Sequence, residues 1–168
     1  FTGGIFLFEF HSFIRYNSDM KITLHTLQET QEVAQKLGQM LKPPFVLFLK
    51  GSLGTGKTHF TQYLAQGLNI QTRVNSPTFV LMKIYEGEVR LVHVDAYRLE
   101  NVSEPIGVHD ECDNESVLVV EWPEYLNEEI NPDMVLTFEI LDEHSRSCFI
   151  ETNHTIGLEW SDYVATRY

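Results

Sequence analysis

The amino-acid sequence predicts a three-layer α/β fold with a mixed sheet, parallel at its centre and antiparallel at its margins. Two apolar runs of strand length, residues 45–49 and 117–120, are typical of central strands that are covered on both faces. From Met20 onward, segments with helical periodicity alternate with strand patterns, as in other α/β folds. Polar turns at residues 86–87 and 142–144 separate pairs of strand-like runs, which predicts two antiparallel hairpins.

The first predicted strand and helix precede the apolar run at residues 45–49. Residues 20–24 alternate apolar and polar side chains, which predicts a half-buried strand. Thr26 followed three residues later by Glu29 forms a capping box at the start of a helix. Apolar side chains then recur on one helical face until Pro43 and Pro44 end the helix.

The remaining elements follow a glycine-rich turn. An amphipathic helix is predicted over about residues 57–68, where the apolar side chains are spaced to face a sheet. Residues 79–85 and 89–95 predict one tight hairpin, and residues 134–140 and 148–152 predict another. The chain therefore contains enough strands for one mixed sheet.

Length and composition predict one globular domain, over residues 20–153. The chain has 168 residues, 43% of them hydrophobic, and a domain of this size buries roughly 70% of its unfolded surface without disulfides or structural metals. Residues 1–19 hold five of the eleven phenylalanines and are interpreted as a leader or upstream extension, with an extra edge strand as the alternative. Residues 154–168 are a C-terminal tail to which the sequence assigns no role.

The charge balance limits the partners that this protein can have. The chain carries 12 basic and 24 acidic residues, a net charge of −12 with neutral histidines. Such a charge repels a phosphate backbone, so direct nucleic-acid binding is not expected. Any bound anion must therefore be held by local groups.

Cysteine and hydropathy patterns indicate the compartment. Cys112 and Cys148 form no CxxC motif, and no two histidines have HxxxH spacing, which argues against disulfide frameworks and zinc sites. A reducing, cytoplasmic setting fits best. No uncharged apolar window of 18 residues is present, so no membrane span is expected.

Residues 51–58 match the phosphate-loop pattern G-x-x-x-x-G-K-[ST] in full. Glycines let successive backbone N–H groups surround a phosphate at the positive end of the following helix. In this pattern Lys57 reaches the β and γ oxygens and Thr58 offers its hydroxyl to Mg²⁺. A P-loop NTPase fold is therefore expected, and the candidate phosphate-binding residues are Gly51, Ser52, Leu53, Gly54, Thr55, Gly56, Lys57 and Thr58.

Two strand-end carboxylates are candidates for the metal and for catalysis. Mg²⁺ takes one or two carboxylates in addition to the hydroxyl of Thr58. Asp95 ends one apolar run, and Glu121 ends a second run that is more completely apolar and is therefore predicted to lie beside the phosphate-loop strand. Asp95, Glu121 and Lys57 are the candidate catalytic residues. His93 is interpreted as a hydrogen-bonded core histidine and not as a metal ligand.

A polar turn between the helix and the first hairpin is a candidate nucleotide sensor. Ser76 and Thr78 flank Pro77 at the position where nucleotide switches carry a hydroxyl that detects the γ-phosphate. Ser76 and Thr78 are therefore added to the candidate nucleotide-binding residues. An ordinary turn is the alternative interpretation.

Together these segments resemble the TsaE family, formerly YjeE. The matching segments are GSLGTGKTHF (residues 51–60), NSPTF (75–79), HVDAYRL (93–99) and VEWPE (120–124), in the order and at about the spacing of the family. The acidic segment at 109–115 departs from the family, which has a more helical segment there, and is interpreted as a solvated loop.

The resemblance implies an Mg²⁺-dependent ATPase of bacterial tRNA threonylcarbamoyladenosine (t6A) biosynthesis, slow alone and acting on the TsaB–TsaD heterodimer. It further implies that Lys57 and Thr58 hold phosphate and metal, that residues 76–78 form a switch, and that Asp95 and Glu121 serve the metal and the attacking water. The implied cofactors are ATP and Mg²⁺.

Three other functions share a phosphate loop. A small-molecule kinase would need a cationic lid, but the six arginines, at positions 15, 73, 90, 98, 146 and 167, form no cluster. A GTPase would carry an N-K-x-D motif, and none occurs. A nucleotide-dependent switch with negligible turnover remains an alternative that sequence does not separate from an ATPase.

Overall fold

The computed structural model describes residues 18–168 as a seven-stranded sheet. In spatial order the strands run β1-β7-β6-β2-β5-β4-β3. Their bounds are Ser18–Leu24 (β1), Phe45–Lys50 (β2), Met82–Tyr85 (β3), Arg90–Asp95 (β4), Ser116–Glu121 (β5), Met134–Ile140 (β6) and Arg146–Thr152 (β7).

The centre of the sheet is parallel, as predicted. β2 lies between β5 and β6 and pairs with both in parallel, and β4 pairs in parallel with β5. Every residue of β5 is buried, because apolar side chains cover both faces of this strand. The predicted place of β5 beside the phosphate-loop strand is confirmed.

The margins of the sheet are antiparallel. β3 pairs with β4 at one edge, while β7 pairs with β6 and with β1 at the other. Because β2, β5 and β4 run parallel to one another, their carboxyl ends lie side by side. These strand ends form the carboxyl-terminal edge of the sheet, which carries the candidate site.

Helices cover one face of the sheet. They are α1 (Leu27–Met40), α2 (Lys57–Gly67) and the C-terminal α4 (Thr155–Ala165). Gly38 and Gly67 let α1 and α2 approach closely, because a Cβ at Gly38 would lie 2.2 Å from the carbonyl oxygen of Leu64. The other face is covered by connecting segments with short helical turns, which include α3 (Val108–Glu111).

The predicted capping box is present at α1. The Thr26 hydroxyl accepts a hydrogen bond from the Glu29 backbone N–H at 3.1 Å. The Glu29 carboxylate accepts from the backbone N–H of His25, one residue before the cap, at 2.6 Å. Both groups fix the start of the helix by satisfying N–H groups that would otherwise be unpaired.

The strand predicted at residues 79–85 is shorter than expected. β3 begins at Met82, because Leu81 has a left-handed φ of 65° and donates its backbone N–H to the carbonyl of Pro77 at 2.6 Å. The hairpin connection to β4 has four residues, 86–89, where the sequence predicted a tight two-residue turn. The side-chain pattern of residues 79–85 predicted one continuous strand, because it gives no sign that the backbone of Leu81 is left-handed.

The acidic segment predicted as a loop contains one helical turn, α3. The side chain of Glu128 accepts hydrogen bonds from the four backbone N–H groups of residues 106–109. Burial acts to raise the pKa of Glu128, but these hydrogen bonds outweigh it and lower the pKa. An ionised Glu128 therefore stabilises the amino end of this turn.

The folded unit continues past residue 153. Residues 155–165 form α4, and the fully buried Trp160 donates its indole N–H to the carbonyl of Val33 in α1 at 2.9 Å. At the other end β1 begins at Ser18, so residues 18 and 19 pair with β7. The remainder of the predicted leader, residues 1–17, lies outside the described residues.

Two further properties concern residues 18–168. No helix in this range is both long enough and apolar enough to cross a bilayer. Cys112 and Cys148 are both free thiols, and burial raises the pKa of Cys112 to about 11.

Replacing Trp160 tests whether α4 belongs to the domain. Trp160→Ala should lower the free energy of unfolding by about 3–5 kcal/mol, because it removes a buried indole and leaves a cavity. Urea unfolding followed by circular dichroism measures the loss. Asp162→Ala, at an exposed position of the same helix, is the control and should change stability by less than about 0.5 kcal/mol. Equal stabilities of the two variants would show that α4 contributes nothing to the core.

Candidate active site

The glycine-rich loop connects the end of β2 to the start of α2. Gly51, Gly54 and Gly56 have φ values of 132°, 82° and 101°, which residues with a side chain rarely adopt. A Cβ at Gly54 or Gly56 would meet no atom within 4 Å, so backbone conformation and not crowding requires glycine there. No side chain caps the amino end of α2. An end of this kind binds anions through its backbone N–H groups.

Lys57 is buried at the first position of α2. Its Nζ donates hydrogen bonds to the carbonyl oxygens of Gly51 at 2.6 Å and Ser52 at 3.0 Å, and lies 4.0 Å from the ring centroid of Trp122. Burial lowers the pKa of Lys57, and the nearby carboxylates, of which Glu121 acts most strongly, offset this only in part. Lys57 is thus a buried ammonium with the buried carboxylates of Glu121 and Asp95 nearby.

Glu121 is the predicted strand-end carboxylate that contacts the loop. It is 2% exposed, and its Oε2 accepts a hydrogen bond from the Thr58 hydroxyl at 2.9 Å. Its Oε1 lies 2.8 Å from Nε2 of His93, which is fully buried. His93 is therefore a core histidine as expected, but it is bonded at one nitrogen only, since Nδ1 has no partner within residues 18–168.

Asp95 contacts the predicted sensor turn. Its Oδ2 accepts hydrogen bonds from the hydroxyls of Thr78 at 2.6 Å and Ser76 at 3.3 Å. Its Oδ1 accepts the backbone N–H of Tyr97 at 3.1 Å. Lys83 donates from Nζ to the Ser76 carbonyl at 3.3 Å, so this turn is held from two sides. The structure thus separates the two carboxylates: Glu121 contacts Thr58, and Asp95 contacts residues 76–78.

Three aromatic rings pack together beside the site. Trp122 has a left-handed φ of 57° and is partly buried, with its ring centroid 5.0 Å from that of Tyr97 and 5.9 Å from that of Tyr125. The left-handed backbone turns the chain immediately after Glu121. Sequence reasoning did not assign Tyr97 to the site, although this residue follows Asp95 by two positions.

A cavity of about 440 Å³ joins most of the candidate residues. Among them, Gly51, Ser52 and Thr55 do not line it, and Gly51 and Ser52 instead accept hydrogen bonds from Lys57. His59 lines the cavity and was not predicted. The full lining is Leu53, Gly54, Gly56, Lys57, Thr58, His59, Ser76, Thr78, Asp95, Tyr97, Glu121 and Trp122.

A second cavity, of about 350 Å³, also borders the glycine loop. It shares Gly54, Gly56 and His59 with the first cavity and extends to the start of α1 and the turn between β6 and β7. Its other lining residues are Thr26, Leu27, Thr30, Thr55, Glu143, His144 and Arg146. The two cavities therefore meet the same part of the glycine loop.

Comparison with known proteins identifies relatives over the same region. The sequence model of the family described as "Threonylcarbamoyl adenosine biosynthesis protein TsaE" matches residues 24–150. The tRNA threonylcarbamoyladenosine biosynthesis protein TsaE of Bacillus subtilis is 41% identical over 104 residues, which are 61% of this chain and 66% of that protein. The protein of the same name from Aquifex aeolicus is 36% identical over 129 residues, 75% of this chain and 91% of the relative.

A solved structure has the same architecture. The crystal structure of Bacillus subtilis YdiB superposes with a TM-score of 0.70 at 26% identity, covering 89% of this chain and 95% of that one. The family match spans the glycine loop, residues 76–78, Asp95 and Glu121. The resemblance and the fold class predicted from the sequence are both confirmed, and the chain belongs to the TsaE family, which takes part in the biosynthesis of threonylcarbamoyladenosine in tRNA.

Proposed function

We propose that this chain binds and hydrolyses ATP with Mg²⁺, and that it supports t6A formation by acting on the TsaB–TsaD heterodimer. The observation that carries the proposal is the hydrogen bond from the Thr58 hydroxyl to Glu121, next to the buried Lys57 and the glycine loop. This arrangement places a hydroxyl, a carboxylate and an ammonium around one cavity. Phosphoryl transfer by P-loop proteins uses these three groups.

The glycine loop and Lys57 bind the phosphates. The backbone N–H groups at the start of α2 donate to phosphate oxygens, and the helix dipole favours the negative charge. Lys57 adds a full positive charge that burial has already stripped of water, so little solvent needs to be removed when it meets phosphate. In a protein of net charge −12 these local groups must supply the attraction.

Thr58 and Glu121 hold the metal. A hydroxyl and a carboxylate are the hard oxygen ligands that Mg²⁺ prefers, and Mg²⁺ commonly completes its shell with water and phosphate oxygens. No group of three or more His, Cys, Asp or Glu side chains in residues 18–168 could hold a metal by itself, so the proposed site relies on the nucleotide for the rest. Mg²⁺ neutralises charge that develops on the phosphates during transfer.

Asp95 couples the site to residues 76–78. It accepts hydrogen bonds from the hydroxyls of both Ser76 and Thr78. A γ-phosphate would compete with Asp95 for these hydroxyls, because phosphate oxygens are strong acceptors. Asp95, once released, is free to orient the attacking water. The turn thereby distinguishes ATP from ADP.

The second cavity takes the base and the ribose. It shares Gly54, Gly56 and His59 with the first cavity and is not lined by Glu121. Its lining combines apolar side chains such as Leu27 with polar ones such as His144 and Arg146, a mixture typical of small-molecule sites. ATP is proposed over GTP because the chain lacks an N-K-x-D motif.

The direct test of this function is an ATP hydrolysis assay with Mg²⁺, with and without the TsaB–TsaD heterodimer of the same organism. We expect slow hydrolysis by the chain alone and faster hydrolysis when the heterodimer is present. Binding of the heterodimer without any hydrolysis would favour a nucleotide-dependent switch instead. Failure to bind ATP would contradict the proposal as a whole.

Lys57→Ala should weaken Mg·ATP binding roughly 10-fold to 100-fold or more, because each charge-assisted hydrogen bond to phosphate contributes about 1.5–3 kcal/mol. Isothermal calorimetry measures the affinity. Lys42→Ala, which removes an exposed lysine outside the loop, is the matched control and should bind as the unmodified chain does. Unchanged binding by the Lys57 variant would refute the phosphate-loop assignment.

Conservative replacement of the two carboxylates separates their roles. Glu121→Gln should abolish hydrolysis with a modest loss of ATP affinity, because the amide keeps the shape of the side chain and loses the negative charge at the metal. Asp95→Asn should also reduce hydrolysis. It should in addition change the difference between the affinities for ATP and ADP, which differ by the γ-phosphate. Turnover and ATP affinity are measured with the heterodimer present. Near-normal turnover in both variants would contradict this division of roles.

Thr78→Ala should reduce the difference in heterodimer affinity between the ATP-bound and ADP-bound states. ADP affinity should hardly change, because ADP lacks the phosphate that the hydroxyl detects. A ligand shifts a conformational equilibrium only by its differential affinity for the two states. Heterodimer affinity is measured with a non-hydrolysable ATP analogue and with ADP, and Thr78→Ser, which keeps the hydroxyl, is the control. If the unmodified chain bound the heterodimer equally well with both nucleotides, residues 76–78 would be an ordinary turn and not a nucleotide sensor.

A further inference from the structure

His93 is an unusual residue for the centre of a sheet. It lies in the middle of β4, is 0% exposed, and is the one fully buried histidine among residues 18–168. Its strand neighbours Val92 and Val94 are also buried, in an apolar cluster on the opposite face of the sheet. Burying a polar ring costs free energy unless the ring is hydrogen-bonded. The position therefore calls for an explanation other than core packing.

The single hydrogen-bond partner of His93 is Glu121. The register pairs Asp95 with Glu121 and His93 with Val119, so the imidazole lies one diagonal step from the carboxylate. Nε2 is 2.8 Å from Oε1, while Oε2 accepts the Thr58 hydroxyl. One carboxylate oxygen thus faces the interior of the sheet, and the other faces the glycine loop.

The surroundings of the ring define its tautomer. An ionised Glu121 offers only acceptors, so the hydrogen must be carried by Nε2 of the histidine. Nδ1 has no hydrogen-bond partner among the described residues, and a hydrogen there would be a buried donor without an acceptor. His93 is therefore the donor and Glu121 the acceptor.

This donor restricts the carboxylate. The terminal torsion angle of a glutamate side chain adopts a broad range of values, so a carboxylate without hydrogen-bond partners rotates. With Oε1 fixed by His93, Oε2 is directed at Thr58 before any metal arrives. Partners that hydrogen-bond a metal-ligating carboxylate typically change metal affinity or activity by 10-fold to 100-fold.

We propose that His93 is a positioning residue, which fixes Glu121 through an Nε2–H···Oε1 hydrogen bond so that Oε2 is preset to bind Mg²⁺ together with Thr58. The role rests on the proposed function, because it requires Glu121 to serve the metal. It extends that function by assigning a task to a residue that touches neither metal nor nucleotide.

Two variants test the hydrogen bond. His93→Leu places an apolar side chain of comparable size at this position and removes the hydrogen-bond donor. His93→Gln places an amide N–H at a similar distance from the backbone. The Mg²⁺ concentration that half-saturates ATP binding is measured by calorimetry. His93→Leu should raise this concentration 10-fold to 100-fold, and His93→Gln should restore most of the loss. Metal-free ATP binding should stay unchanged in both variants, because Lys57 and the glycine loop are intact.

Nuclear magnetic resonance of the ¹⁵N-labelled ring in the unmodified chain gives a readout that does not depend on nucleotide. Nε2 should carry the hydrogen and Nδ1 should not. The Nδ1–H tautomer would overturn the proposal.

The calorimetric outcomes separate this proposal from the proposed function. Failure of the unmodified chain to bind Mg·ATP would refute the function itself, and the positioning role with it. Normal Mg·ATP binding by the unmodified chain, with an unchanged Mg²⁺ requirement in His93→Leu, would overturn the positioning role alone. Equal losses in the Leu and Gln variants would also overturn it, because ring volume rather than the donor would then be responsible.

Discussion

The register between three parallel strands is the constraint on which the site depends. Leu49 of β2, Glu121 of β5 and Asp95 of β4 lie in one row across the sheet. Because parallel strands end at a common edge, this row brings the glycine loop, both carboxylates and the turn at residues 76–78 together. A shift of one residue in β5 would turn Glu121 to the opposite face of the sheet. Such a shift would be costly, because it would take the Glu121 carboxylate away from Thr58 and His93 and turn it toward the apolar cluster on the other face.

The charges at this edge explain why the proposed function requires a divalent cation. Glu121, Asp95 and Lys57 are all less than 6% exposed, so two buried carboxylates face one buried ammonium. Adding a nucleotide phosphate to this group would increase the negative excess in a region of low dielectric constant. A divalent cation beside Thr58 would restore the balance. In the absence of such a cation, the buried Glu121 and Asp95 would therefore oppose nucleotide binding.

Sequence reasoning predicted the parts of this molecule that local patterns determine. The glycine loop, the apolar central strands β2 and β5 and the capping box at Thr26 depend on residues close together in the chain. The helix around Trp160 was not predicted, because its stability depends on Val33, 127 residues away. Similarly, the bond between His93 and Glu121 depends on register between two strands, and the early end of β3 on the left-handed Leu81. The roles of Lys57, Thr58, Asp95 and Glu121 toward a ligand stay predictions that the geometry supports.

The turn at residues 76–78 connects a buried carboxylate to an exposed aromatic residue. The hydroxyls of Ser76 and Thr78 are held by a buried carboxylate, whereas the next residue, Phe79, is 83% exposed and has the Arg98 guanidinium 4.5 Å from its ring centroid. Exchanging Asp95 for phosphate as the acceptor replaces one charge-assisted hydrogen bond by another, so the free-energy difference between the two arrangements is small compared with either bond. A partner that binds one arrangement more tightly would, by linkage, change the affinity for ATP by the same factor by which ATP changes the affinity for that partner.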